Sequence, residues 1–382
     1  MKLLSLVVVV VALVAAPAFA QSVEERLSKL EQEVRALRAE NEELRKQLGV
    51  APHPVEAPAP PQEVKLADDG PNVRVGGVIQ AQADAGGRVD QRFGDDHNRV
   101  YLRRARVNVQ GSFAEEFDFK AEVDIAGGLG SSSGVRAQGT DLYVQWSQYP
   151  LAHIRAGQFK APYGYEQLHS STKIMTVERT LGMDRIGLSR QIGVQLAGDA
   201  GRVAYAVGAF NGNGTNASFN EDEDFLLAGR LSGTLFERGE TTRWTAGVNG
   251  YRSEDADAAV APELAFANNA FAGTRRAFGA DTQLMAGRLE LWGEILRARF
   301  EPADGTATRE LNSWYVLGGW SITKKLQAVA RVDSLDGPAA DVRTWTAGVN
   351  YFIKGHDIKL QLNLMRTDDE ETRVLARLQT LF

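Results

Sequence analysis

From Val73 to the end of the chain, apolar and polar side chains alternate in short runs with a period of two. In Phe117-Asp118-Phe119-Lys120-Ala121-Glu122-Val123-Asp124-Ile125, aromatic and aliphatic groups fall on one face and four charges on the other. Ile358 to Leu364 and Val374 to Phe382 repeat the design. Such a period with one apolar face predicts strands of a sheet that hides one side from water. About sixteen runs are predicted, at 73–85, 99–113, 116–126, 140–148, 152–160, 190–198, 202–211, 222–236, 241–252, 275–286, 288–299, 309–321, 324–335, 340–352, 356–368 and 371–382. No helical pattern remains to cover the apolar face, so it meets another sheet or lipid.

The connections separate these possibilities. Ser112-Phe113-Ala114-Glu115, Tyr149-Pro150 and Gly355 mark short turns, whereas 86–98, 127–139, 161–189, 212–221 and 253–274 are long. An even strand count with short turns on one side and long loops on the other predicts an all-β, transmembrane antiparallel barrel with its long loops outside the cell. Tyr101, Trp146, Trp244, Trp314, Trp320, Trp345 and Tyr351 recur where headgroup-level girdles fall, and the chain ends in Phe382. A soluble β-sandwich accounts for neither feature, nor for the leader described next.

Three segments precede the strands. Lys2, the apolar run Leu3 to Val14 and Ala18-Phe19-Ala20 predict a signal peptide over 1–20. Residues 21–49 predict an N-terminal α-helical coiled coil. Leu27, Val34, Asn41 and Leu48 occupy one core position, and Val23, Leu30, Leu37 and Leu44 the other. Residues 50–72, with APHPVEAPAPP at their start, predict a Pro/Ala-rich spacer. The barrel domain is expected over 73–382, in the Gram-negative outer membrane, with the arm in the periplasm.

Composition narrows the picture further. After Gln21 no stretch approaches the ~18 consecutive apolar residues of a transmembrane helix. Hydrophobic residues make up 43% and mean hydropathy is -0.26, as suits a barrel in which only every second residue faces lipid. With 0 cysteines, an exported chain relies on burial or closure rather than disulfides. A net charge of -6 argues against a nucleic-acid partner.

Several pieces then carry a resemblance: LRRARVNVQG (102–111), FDFKAEVD (117–124), IRAGQFKAPYGYEQLHSS (154–171), VERTL (177–181), RQIGVQL (190–196) and VGAFNGNG (207–214). The stretch resembles the phosphate-selective porin O and P family, and later strands resemble it in pattern. That resemblance implies a sixteen-stranded, trimeric outer-membrane porin whose third long loop, here 161–189, folds inward to narrow the pore. It also implies that basic residues guide the anion. Carried over by motif, these are Arg103, Arg104, Arg106, Lys120, Lys160, Arg179 and Arg190, with Asp124 as the acidic residue that moderates binding.

Alternation alone points Arg104, Arg106, Asn108, Gln110, Lys120, Asp124 and Arg155 inward. It turns Arg103 toward lipid unless a bulge intervenes, and Lys160 reaches the pore only through a bulge or strand end. Asp118, Glu122, Asp141, Asp281, Glu290, Glu294 and Asp333 also read as inward. Ion pairing that stiffens the wall and general anion guidance are therefore equal readings, with a dedicated phosphate site behind them.

Other chemistry is thin. His97, His153, His169 and His356 lack ligand spacing, no catalytic constellation stands out, and no cofactor is implied. Glu221-Asp222-Glu223-Asp224 reads as a solvated loop before it reads as a cation bridge to lipopolysaccharide. The leading expectation is a passive channel for small hydrophilic solutes, biased toward anions such as phosphate. The alternative is a tethering barrel whose coiled coil grips peptidoglycan or a partner.

Overall fold

The structure, a computed structural model, describes residues 63–65 and 72–382 apart from 91, 94–97, 115, 128–134, 222 and 370. The expected signal peptide, coiled coil and most of the spacer lie outside the described residues.

Sixteen long strands follow one another round a closed wall. The first half comprises β2 (Asn72–Gly86), β3 (Arg99–Phe113), β4 (Phe117–Ala126), β5 (Val135–Tyr149), β6 (Ala152–Lys160), β7 (Arg190–Ala200), β8 (Val203–Phe210) and β9 (Leu226–Arg238). The second comprises β10 (Thr242–Ala259), β11 (Ala270–Ala286), β12 (Leu289–Pro302), β13 (Arg309–Ser321), β14 (Leu326–Gly337), β15 (Ala340–Lys354), β16 (Ile358–Thr367) and β17 (Thr372–Leu381). Each pairs antiparallel with its neighbour, and β17 returns to β2 from Arg373↔Gly86 to Leu381↔Val78. A closed wall leaves no unpaired edge in lipid, which is why strands can cross at all.

The seam is completed by the last residue. Gly77 and Phe382 exchange backbone hydrogen bonds of 2.9 and 3.2 Å. Below them β1 (Glu63–Lys65) pairs with Asn72–Arg74 on the edge of β2 that β17 leaves uncovered. The spacer expected over 50–72 therefore contributes a short strand, because an open edge at that point invites pairing.

The two faces are inverted relative to a water-soluble protein. Val75, Ile79, Val107, Val144, Leu231, Val316 and Leu360 stand exposed on the outer wall, whereas Gln80, Gln82, Asn249, Gln361 and Asn363 are buried within. Trp244, Trp320 and Tyr351 are exposed near the short-turn ends and Trp345 near the opposite end, as girdle residues should be. Tyr101 is a correction: its hydroxyl accepts from Gln82 at 2.8 Å, so it lies inside. Two long loops also shrink, because β5 begins at Val135 and β10 and β11 extend to Ala259 and Ala270. Alternation was masked there by small residues and by a register shift between Asp255 and Ala258.

Loop 161–189 enters the barrel and carries two short helices, α1 (Tyr165–Leu168) and α2 (Leu181–Ile186). Thr180 caps α2, its hydroxyl accepting from Met183 N at 3.2 Å. Leu181, Met183 and Ile186 then bury against Phe210, Tyr251, Leu296, Phe300 and Leu311 of the wall. Elsewhere polar wall residues satisfy the loop backbone. Glu294 accepts from Tyr165 N at 2.6 Å, and Asn363 from Val177 N at 2.7 Å. Asn350 donates to Met175 O at 2.8 Å. These contacts hold the loop against the wall as a constriction, with several of its backbone groups paired to wall side chains.

Candidate pore constriction

The inward loop leaves a cavity of about 480 Å³ between itself and the wall made by β2 to β9 and the end of β17. The wall contributes Arg106, Asn108, Lys120, Glu122, Asp141, Tyr143, Arg155, Phe159, Lys160, Arg190 and Arg230, and the loop Pro162, Leu168 and Ser170 to Thr172.

Arg106, Lys120 and Arg190 form a ladder locked to carboxylates. Arg106 donates to Asp124 at 2.7 Å and stands 3.5 Å from Glu122. Lys120 pairs with Asp141 at 2.9 Å and Glu122 at 3.2 Å. Arg190 donates to Asp141 at 2.7 Å and lies 3.8 Å from Glu122. Asp124, expected to moderate anion binding, is the direct partner of Arg106. Farther round the wall, Arg230 makes a bidentate pair with Asp281 at 2.5 and 2.8 Å.

Arg155 differs. Its Nε and Nη2 donate to the neutral Gln145 Oε1 at 2.9 and 2.6 Å. Its guanidinium lies 4.3 Å from the Tyr143 ring centre and 5.3 Å from that of Phe159.

The remaining expected residues serve the loop. The register shifts between Gln80 and Ala81, which face Arg104 and Leu102, so Arg103 is the extra residue of a bulge. Both Arg103 and Arg104 consequently face inward, where strict alternation had turned Arg103 to lipid. Arg103 donates to Glu178 at 2.8 and 3.1 Å, and Arg377 donates to the same carboxylate at 2.6 Å. Burial alone would raise the Glu178 pKa, but Arg103 and Arg377 hold it well below the usual carboxylate range. Arg104 bonds Gln80 at 2.7 Å and does not line the cavity.

Lys160 and Arg179 both sit on the C-terminal end of α1. Lys160 Nζ donates to Gln167 O at 2.6 Å and to His169 O at 3.2 Å. Arg179 donates to Glu166 O at 2.8 Å and His169 O at 2.9 Å. The last carbonyls of a helix lack partners within it and attract cations. Lys160 is the last residue of β6, paired with Arg190, and reaches them from that strand end.

Sequence reasoning missed Arg230, Glu178 and Arg377. Arg230 was recoverable from alternation within β9. The roles of Glu178 and Arg377 depend on where an irregular loop lies and carry no local signal.

A closed sixteen-stranded wall, apolar outside and polar within, narrowed by its third long loop, defines an outer-membrane diffusion channel. The chain belongs to the phosphate-selective porin O and P family, whose model matches residues 73–378. Among solved structures it is similar to the outer membrane channel DcaP of Acinetobacter baumannii, at 14% identity and a TM-score of 0.59, over 83% of this chain and 99% of that one. It is also similar to an anion-selective porin from Comamonas acidovorans, at 13% identity and a TM-score of 0.60, over 82% and 100%. OmpF of Salmonella typhi matches at 11% identity and a TM-score of 0.58, over 84% and 100%. At such identities the likeness establishes the fold. A comparison with curated proteins finds no match.

Proposed function

We propose that this porin passes small hydrophilic solutes passively with a preference for small anions, phosphate among them. The supporting observation is the chemistry at the constriction: six basic side chains line the cavity against two carboxylates. Asp124 and Asp281 stand close behind, so a cationic excess survives the ion pairing. In a narrow space walled by low-dielectric protein, such an excess raises the local concentration of anions.

The same reading takes the protein as a homotrimer whose heptad arm, 21–49, lies in the periplasm. The periplasmic side is supported by Asn72, where β2 starts, pairing with Ser112 beside the short turn to β4. The long loops then face outward, toward lipopolysaccharide.

Recordings from purified protein in planar bilayers test the proposal. The reversal potential in a potassium chloride gradient should have the sign of chloride preference, and added inorganic phosphate should reduce chloride current. A reversal potential of the opposite sign would refute the anion preference.

A further inference from the structure

The three ladder cations are matched by three carboxylates. Arg106, Lys120 and Arg190 are held by Glu122, Asp124 and Asp141 at 2.7 to 3.8 Å. A guanidinium or ammonium in such a network has spent its strongest donors, and its field is largely cancelled by a neighbour a hydrogen bond away. Arg230 is likewise neutralised by Asp281. Lys160 has no carboxylate partner among the described residues, but its ammonium is turned into the carbonyl end of α1.

Arg155 is left. It has no carboxylate partner among the described residues. Only two of its five N–H donors are used, both by one amide oxygen, and its plane is fixed by Tyr143 beneath it. A guanidinium positioned in this way loses little freedom on meeting a solute, and its unused edge matches two oxygens of an oxyanion.

We infer that Arg155 is the residue that contacts the permeating anion, while the Arg106–Lys120–Arg190 ladder is a neutralised wall that shapes the passage. This rests on the anion preference proposed above. Lys160, on the same strand, fixes the loop opposite.

The test compares three variants with the wild type, using reversal potential for selectivity and inorganic phosphate as the blocking ion. Arg155→Gln should weaken phosphate block roughly tenfold and move the reversal potential toward zero, as loss of one charge-assisted hydrogen bond requires. Arg155→Lys should restore the reversal potential but only part of the block, because an ammonium keeps the charge and loses the fork. The double change Arg106→Gln/Asp124→Asn should leave both readouts within twofold of the wild type. Heat-resistant migration on gels checks that each variant is folded.

Unaltered block in a folded Arg155→Gln, or loss of block in the double variant, would overturn the inference. A wild-type channel with no anion preference would instead remove the proposal beneath it, and the inference with it.

Discussion

Glu178 of the third loop accepts a 2.6 Å hydrogen bond from Arg377 of the last strand, 199 positions along the chain. Arg103 of β3 reaches the same carboxylate from the other side of the seam. One loop side chain thus ties together the strands on either side of the β17–β2 closure. Glu178 and Arg377 are buried and Arg103 is half-buried, and removing one partner of such a cluster strands the others. The change Glu178→Gln should cost on the order of 3 kcal/mol. It should also release the loop, giving a larger and noisier single-channel conductance with an earlier thermal transition. A conductance identical to wild type would mean that the loop is held without this carboxylate.

The same loop gives stability a pH dependence. His169 packs at a tilt against Trp292 with ring centres 4.5 Å apart, and burial, then Lys160 and Arg179, push its pKa down to about 4. The folded protein therefore resists protonating a group that the unfolded chain protonates near 6.5. Its contribution is complete above about pH 6.5 and is lost as pH falls from there toward about 4. His356, lowered by burial and by Lys359, contributes with the same sign. Glu178 opens a separate window, because a carboxylate held low loses its stabilisation only as pH drops below about 4.5. Melting temperature against pH should thus decline in two stages. His169→Asn should flatten the upper stage, and an unchanged upper slope would assign it elsewhere.

How much of this was legible in the sequence follows from what is local. Strand identity was legible because alternation is set residue by residue, and every predicted run has its counterpart among β2 to β17. The inward direction of Arg106, Lys120, Asp124 and Arg155 followed from the same parity. Parity fails where a residue is inserted, as at Arg103, whose bulge puts two consecutive arginines on one face. It is also silent on partners. Whether Lys120 meets Asp141 or open water is decided by the register between β4 and β5, and that register itself shifts beside Ala121. Lys160 and Arg179 were expected at the pore, yet they bind the carbonyl end of α1, because only the folded loop brings those carbonyls to them.

Ladder neutrality makes a prediction about single and paired changes. Lys120 lies between Glu122 and Asp141, so Lys120→Met leaves a carboxylate surplus facing the cavity. The reversal potential should shift toward cation preference by more than the loss of an isolated surface charge would give. Adding Asp141→Asn should undo most of that shift, although neither residue has been restored. A double variant whose reversal potential stays at that of Lys120→Met would show that Asp141 is not the charge that Lys120 neutralises.

Barrel closure is the last point at which a single side chain decides the outcome. At Gly77 the chain of β2 passes so close to its neighbours that a Cβ atom would lie 2.4 Å from Phe382 Cζ and 2.6 Å from the Arg106 carbonyl oxygen. The ring of Phe382 can swing away, but the Arg106 carbonyl belongs to the β2–β3 ladder, where Val78 faces Arg106. A valine at 77 must therefore push β2 away from β3, or push the terminal residue out of its two backbone hydrogen bonds. Either route opens a wall that has no other covering for its backbone in lipid. Overpacking of this kind costs about 1–3 kcal/mol in ordinary cores. We expect Gly77→Val to lower the yield of heat-resistant barrel on refolding into detergent micelles. Phe382→Ala in that background, which removes the ring and keeps the backbone hydrogen bonds, should partly rescue it if the ring is the main obstacle. Failure of that rescue would place the conflict at the Arg106 carbonyl, and a normal refolding yield for Gly77→Val would show that the seam tolerates a side chain there.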